Sequence, residues 1–150
     1  MELKIVQKDA FSVIGKQGST ADGEGFIARL WQEANEHFSE VMELAKKDPD
    51  GSFAGFWGLM SDEGLNFMPW EDNFSRGLYL AGVEIEGDAA APDGWTKWTV
   101  PAAEYVVSAA DFRTVLAEME KRGLSLAGAI YDFTDPKTGE NTQYFPIRRL

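Results

Sequence analysis

Phe112-Arg113-Thr114-Val115-Leu116-Ala117-Glu118-Met119-Glu120-Lys121-Arg122-Gly123 decides the fold, because its period can be read and its flanks differ in kind. Phe112, Val115, Leu116 and Met119 recur at steps of three and four, which stacks them along one face of a helix. Asp111 stands at its start, and Gly123 supplies the stop. On either side the pattern changes to runs rich in β-branched and aromatic residues, bounded by turn formers. Trp98 to Ser108 precedes the helix, and Leu126 to Phe133 and Gln143 to Arg148 follow it. Asp135-Pro136-Lys137-Thr138-Gly139 reads as the hairpin turn between the last two. This half of the chain is therefore strand, helix, strand, strand.

The first half gives the same order. Lys4 to Gly15 reads as a strand region interrupted near Lys8-Asp9. A helix follows, with Ile27, Leu30, Trp31, Ala34, Phe38, Val41, Met42 and Ala45 on one face. Lys46 and Lys47 suit its C-terminal dipole, and Asp48-Pro49-Asp50-Gly51 ends it. Phe53 to Met60 and Leu78 to Glu86 are the next strands, and 87–94 is the link. The expected fold is α+β, a duplicated β-α-β-β unit. Its mainly antiparallel sheet carries two helices on one face and a ligand groove on the other. Residues 1–150 are expected to form one domain, with pseudo-repeats of about 1–87 and 95–150.

The totals exclude whole classes of chemistry. A chain of 150 residues can bury a real core. It has no cysteine, so disulfides, thiol chemistry and Cys-based zinc sites are excluded. His37 is the one histidine, placed on the first helix beside the apolar stripe, so it reads as a boundary residue rather than a triad member, and no transition-metal site is expected. No Gly-rich phosphate loop follows a strand, and 132–140 lacks calcium-loop spacing. No cofactor is expected. With 14 Lys and Arg against 25 Asp and Glu, the net charge of -11 disfavours phosphate backbones and anionic membranes. Direct nucleic-acid or membrane binding is therefore not expected. With neither a signal peptide nor a spanning segment in view, a cytoplasmic location is expected.

Aromatics outside the helices are the strongest local signal: Trp57, Trp70, Tyr79, Trp95, Trp98, Tyr105, Tyr131, Phe133 and Tyr144. A packed sheet core accounts for such residues, and so does a groove whose ring faces stabilise a cation. A strand carboxylate would complete such a groove. The candidates are Asp132, which alternation places on the face of Gly128 and Ile130, Glu84, on the face of Leu80 and Gly82, and Glu104. A solvent-facing role remains open for each.

Three segments carry a resemblance to the GyrI-like family, the effector-binding domain of AraC- and MerR-type regulators. Gly77-Leu78-Tyr79-Leu80-Ala81-Gly82-Val83-Glu84-Ile85 is similar to its central strand. Trp98-Thr99-Val100-Pro101-Ala102-Ala103-Glu104-Tyr105-Val106 resembles its Ile-Pro-Ala strand, and Tyr144-Phe145-Pro146-Ile147-Arg148 its closing strand. Gly55-Phe56-Trp57-Gly58-Leu59-Met60-Ser61-Asp62, Pro69-Trp70 and Gly94-Trp95-Thr96-Lys97-Trp98 look like a stand-alone bacterial subgroup. The resemblance implies drug binding, with lipophilic and often cationic compounds held in a groove across the halves. An inward glutamate is the family's charge partner, and here that position falls on Asp132, one methylene shorter. Regulators of this group carry a separate DNA-binding domain, whereas the effector fold is expected to use up this chain.

Three functions are carried forward. The first is sensing or sequestration of a hydrophobic, cationic small molecule, with Trp57, Trp70, Tyr79, Trp98, Tyr105 and Tyr131 as walls and Asp132 as counter-charge. The second is a hydrolase that opens strained cyclopropane rings of DNA-alkylating natural products. It would use Glu84, Glu104 or Asp132 as base and Tyr79 or Tyr105 as acid. The third is a gyrase-inhibitor-like protein acting on a regulatory protein partner. A homodimer is left open.

Overall fold

The computed structural model describes residues 2–150. The elements are β1 (Lys4–Lys8), β2 (Phe11–Ser19), α1 (Phe26–His37), β3 (Phe56–Ser61), the single turn α2 (Glu71–Phe74), β4 (Leu78–Ile85), β5 (Thr96–Val100), β6 (Ala103–Ser108), α3 (Phe112–Lys121), β7 (Tyr131–Thr134) and β8 (Asn141–Arg149). All the strands join one sheet in the order β1-β6-β8-β7-β3-β4-β2-β5, and every pairing is antiparallel. The α+β class and the antiparallel sheet read from the sequence are what the chain adopts. No helix among the described residues is long and apolar enough to cross a membrane.

The order of strands shows how the halves interlock. β2, β4 and β3 form one side with α1, and β6, β8 and β7 form the other with α3. β3 and β7 meet at the seam. Each side also takes its outer strand from the other half: β1 pairs with β6, and β5 pairs with β2. This exchange splits the region expected as one strand from Trp98 to Ser108, which breaks at Pro101-Ala102. Proline cannot donate to a ladder, so the break falls where β5 leaves one side and β6 enters the other.

Two other boundaries differ from the sequence reading. The first helix was expected to run to Ala45, but it ends at His37 and passes through a 3-10 turn, Phe38–Glu40. Val41 and Ala45 are buried as their period suggests. However, the backbone beyond them is claimed by the sheet: Lys46 N donates to Glu84 O at 2.8 Å, and Ala45 bridges Ile85. The strand expected from Leu126 pairs only from Tyr131. Before it, Ala127 N donates to Pro146 O and Ala129 N to Phe67 O, both at 2.8 Å.

Alternation along β4 sorts the core into two faces. Tyr79 and Ala81 pack beneath Phe26, Leu30 and Ala34 of α1, and Val83 and Ile85 pack against Val41, Ala45 and Trp95. Across the seam, Val106 and Phe145 pack beneath Val115 and Met119 of α3. The opposite face was expected to hold the groove. It is filled instead by Phe11, Val13, Trp57, Leu59, Phe67, Leu80, Trp98, Tyr105 and Tyr131. Trp57 and Tyr105 are 1% exposed and Tyr131 and Trp98 2%, so these rings pack against one another and are not open walls.

The sheet is curled, and within it β2 and β4 pair glycine to glycine. Gly15 and Gly82 are register partners on the filled face. A Cβ on Gly15 would lie 2.7 Å from the Ala81 carbonyl carbon and 2.8 Å from Gly82 Cα, closer than real contacts allow. Gly82→Ala must therefore force the two backbones apart, and a cost of about 3 kcal/mol is expected. Urea unfolding measures it; a cost near zero would show that this close pairing is dispensable.

Candidate functional site

A mainly apolar cavity of about 510 Å³ lies on the helix-bearing face, at the seam. Met60 of β3, Phe74 of α2, Phe112 and Arg113 of α3, Ile130, Asp132 of β7 and Gln143 of β8 line it. Its position follows from the strand pairing. β3 and β7 share only three register pairs, ending at Gly58↔Asp132. Beyond that pair β3 runs on to Met60 without β7, and the two backbones diverge around the cavity.

Asp132 is half-buried at this point. Gln143, its register partner on β8, donates from Nε2 to Oδ1 at 3.1 Å. Burial pushes the Asp132 carboxyl above its ordinary value, and the Gln143 bond offsets only part of that rise. Among the described residues no cationic side chain lies within ion-pair distance of it, Arg113 of the same lining included. Tyr79 approaches from β4 across Gly58: a Cβ there would collide with the Tyr79 hydroxyl and lie 3.5 Å from Asp132 Cβ. That hydroxyl accepts from Trp31 Nε1 at 3.0 Å. Burial, and then the Asp132 charge, push its pKa to about 12, so it keeps its proton at any physiological pH.

The other residues singled out from the sequence lie elsewhere. Trp57, Trp98, Tyr105 and Tyr131 belong to the filled face, where Trp98 Nε1 donates to Gln17 Oε1 at 2.8 Å. Trp70 packs against Phe26 at 6.0 Å, donates to Leu78 O at 2.9 Å and borders a separate shallow hollow. Glu104 lies on β6 between its register partners, Gln7 of β1 and Arg148 of β8. His37 is exposed, 3.1 Å from Glu40.

Glu84 is 4% exposed and fully partnered: Lys8 and Lys46 each approach to 3.4 Å, and Trp57 Nε1 donates at 3.0 Å. Lys8 also lies 4.4 Å from the Phe11 ring centroid and 5.5 Å from that of Trp57. Rings, carboxylate and cation are thus assembled here, but the cation is the chain's own.

Of the cavity lining, the sequence pointed only to Asp132. Gln143 becomes legible once the 135–139 turn fixes the register of β7 against β8. Phe112 fitted the buried stripe of its helix, but as the first residue of α3 it is 44% exposed. Phe74 follows two left-handed residues, Asp72 and Asn73, and is itself left-handed at φ 63°, which no motif announces. Arg76 holds that turn through Glu63, Glu71 and Asp72.

No model of a known family matches the chain. It is similar to the transcriptional regulator BrlR of Pseudomonas aeruginosa, 25% identical over 158 aligned positions, covering 99% of this chain and 49% of that protein. The chain thus spans about half the length of the curated relative it matches. Among solved structures it is similar to SAV2435 bound to tetraphenylphosphonium, with a TM-score of 0.61, 16% identity, and coverage of 99% of this chain and 94% of that one. The EcmrR C-terminal domain matches with a TM-score of 0.62 and 11% identity, over 99% and 98% of the two chains. An integron cassette protein from Vibrio cholerae gives 0.56 and 16%, over 99% and 95%. At these identities the likeness is one of fold, shared across nearly the whole chain.

Two stability measurements follow. Glu84→Ala removes the acceptor of the buried Trp57 indole along with both ion pairs, and a loss of about 2–4 kcal/mol is expected in urea unfolding. Glu84→Gln, which keeps an acceptor for Trp57, should lose less; equal losses would make the ion pairs the main contribution. Asp132 has the opposite sign. Its folded pKa is raised, so ionisation destabilises the fold above the unfolded value, and the penalty vanishes at low pH. Asp132→Asn should therefore stabilise the chain by about 1 kcal/mol at pH 7, roughly 3 °C in Tm, with the gain shrinking toward pH 4. Thermal melts across pH measure this; a destabilised Asn variant at pH 7 would mean that the carboxylate is structural.

Proposed function

We propose that this chain binds a lipophilic cation in the seam cavity, as an effector-binding domain of the GyrI-like type, for sensing or sequestration. The observation that carries this reading is Asp132: a half-buried carboxylate in a mainly apolar cavity, held by one amide and, among the described residues, in ion-pair contact with no cation. Its desolvation is offset only when a ligand brings positive charge. Phe74 and Phe112 offer ring faces at the same cavity, and each such contact contributes roughly 0.5–2 kcal/mol when water is excluded. The cavity volume lies in the range of drug-sized sites. SAV2435, of similar fold, is bound to tetraphenylphosphonium, and BrlR is a transcriptional regulator; both support this reading.

Tetraphenylphosphonium and tetraphenylborate share a shape and differ in sign. Calorimetric titration is expected to give saturable binding of the cation alone, weakened about tenfold or more by Asp132→Asn. Affinity should fall on acidification, starting above the ordinary aspartate value of 3.8 because burial has raised Asp132. Equal binding of the two ions, or full affinity in the Asn variant, would overturn the assignment.

A hydrolase is the second reading, favoured by the meeting of the Tyr79 hydroxyl and Asp132 above Gly58. Asp132 would take a proton from water as it attacks a ring carbon, the ring C–C bond would break with its electron pair passing to a conjugated carbonyl oxygen, and Tyr79 would protonate that oxygen, a combination worth roughly 10²–10⁴-fold. Tyr79 is only 4% exposed beneath Trp31, which places this reading behind simple binding. Turnover of a strained cyclopropane compound, lost in both Tyr79→Phe and Asp132→Asn, would reverse that order.

A further inference from the structure

The charges on the cavity wall do not match a simple cation. Asp132 and Arg113 are the two ionisable residues in the lining, one of each sign, so the cavity is balanced although the chain carries -11. Asp132 is half-buried in the floor, and Arg113 is exposed at the rim. Arg113 stands in the first turn of α3, where the helix dipole disfavours a cation. Its neighbours three and four positions away are Ala109, Ala110, Leu116 and Ala117, so no carboxylate on its own helix can pair with it. Asp111, the nearest acid in sequence, caps the helix through Thr114 N. The contact Arg113 does make is with the Phe112 ring, 5.9 Å away. Phe112 and Phe74, 44% and 68% exposed, stand on the same rim.

Resting on the binding reading above, we infer that the cavity selects an amphoteric aromatic ligand, with its cationic end at Asp132 and an anionic substituent at Arg113. A plain monocation satisfies Asp132 but leaves the guanidinium of Arg113 repelling it from the rim. A ligand that also bears a carboxylate or a comparable anion removes that repulsion and gains a charge-assisted hydrogen bond. The two exposed rings suit the flat body between those ends. Arg113 is then a specificity residue: it does not create binding, but it decides which cations are preferred.

Rhodamine 110 and rhodamine 123 test this directly. They share one xanthylium cation, and the first carries a free carboxylate where the second carries its methyl ester. By fluorescence anisotropy the wild-type chain is expected to bind rhodamine 110 about 3–10-fold more tightly, with the preference shrinking in high salt. Arg113→Gln, an exposed substitution, should bring the two dyes to parity. Parity in the wild type, or a preference that survives Arg113→Gln, would overturn the inference. If rhodamine 123 still bound in an Asp132-dependent way, the binding reading would stand without it. If neither dye bound, both would fall together.

Discussion

The close contact of Gly15 with Gly82 governs the rest of the molecule. Two neighbouring strands of the curled sheet pair there with no room for a side chain between them. The curl brings rings from distant strands together: Phe11 lies 4.8 Å from Trp57, and Trp57 lies 4.8 Å from Phe133 and 4.9 Å from Tyr144. A flat sheet would leave this aromatic face open. Curled, it packs its own rings together, and the seam cavity lies on the other face, bordered by α2 and the start of α3.

Two carboxylates show how environment separates structure from function. Glu84 and Asp132 both lie on strands among aromatic residues, and sequence alternation treats them alike. The fold does not. Glu84 points to the closed face, where Lys8, Lys46 and the Trp57 indole surround it, so its charge is spent on holding the end of the sheet. Asp132 points to the open face and has an amide for company. A buried charge without a partner is expensive, and the chain tolerates this one at the seam of its two halves. That contrast separates a candidate site from an ion pair more firmly than a count of aromatic residues.

Much of this architecture was legible in the sequence because it rests on local periodicity. The α3 stripe, its Gly123 stop, the 135–139 turn and the doubled order of elements all follow from spacing and turn chemistry. What was not legible depends on partners far away in the chain. The period of α1 continues through Val41 and Ala45, but a backbone bond from Lys46 to Glu84 decides that residues there follow the sheet. Alternation told Asp132 apart from Tyr131 and Phe133, yet it could not say which face would stay open. That depends on how rings from distant strands pack, as Phe11 and Phe133 do on Trp57. Arg113 and Phe74 carried no signal, since exposed residues near helix ends are common.

The seam itself shows why the cavity lies where it does. Gly55, just before β3, and Gly58 within it each leave a gap that a neighbour fills. A Cβ on Gly55 would strike the ring of Phe133 from the second half, and one on Gly58 would strike Tyr79 from the first. Phe133 over Gly55 thus locks the second half onto the first beside three pairs of register partners, while Tyr79 over Gly58 packs within the first half. Past Gly58 this locking stops. Phe67 O takes the amide of Ala129, and Met60 and Ile130 are left lining a gap instead of closing it. The cavity is therefore the place where pairing between two similar halves runs out. Its floor is fixed by the last shared pair, while its rim is set by α2 and the start of α3. Changes at the rim can alter what is bound without disturbing the sheet, whereas a change at Gly58 or Asp132 reaches the seam itself.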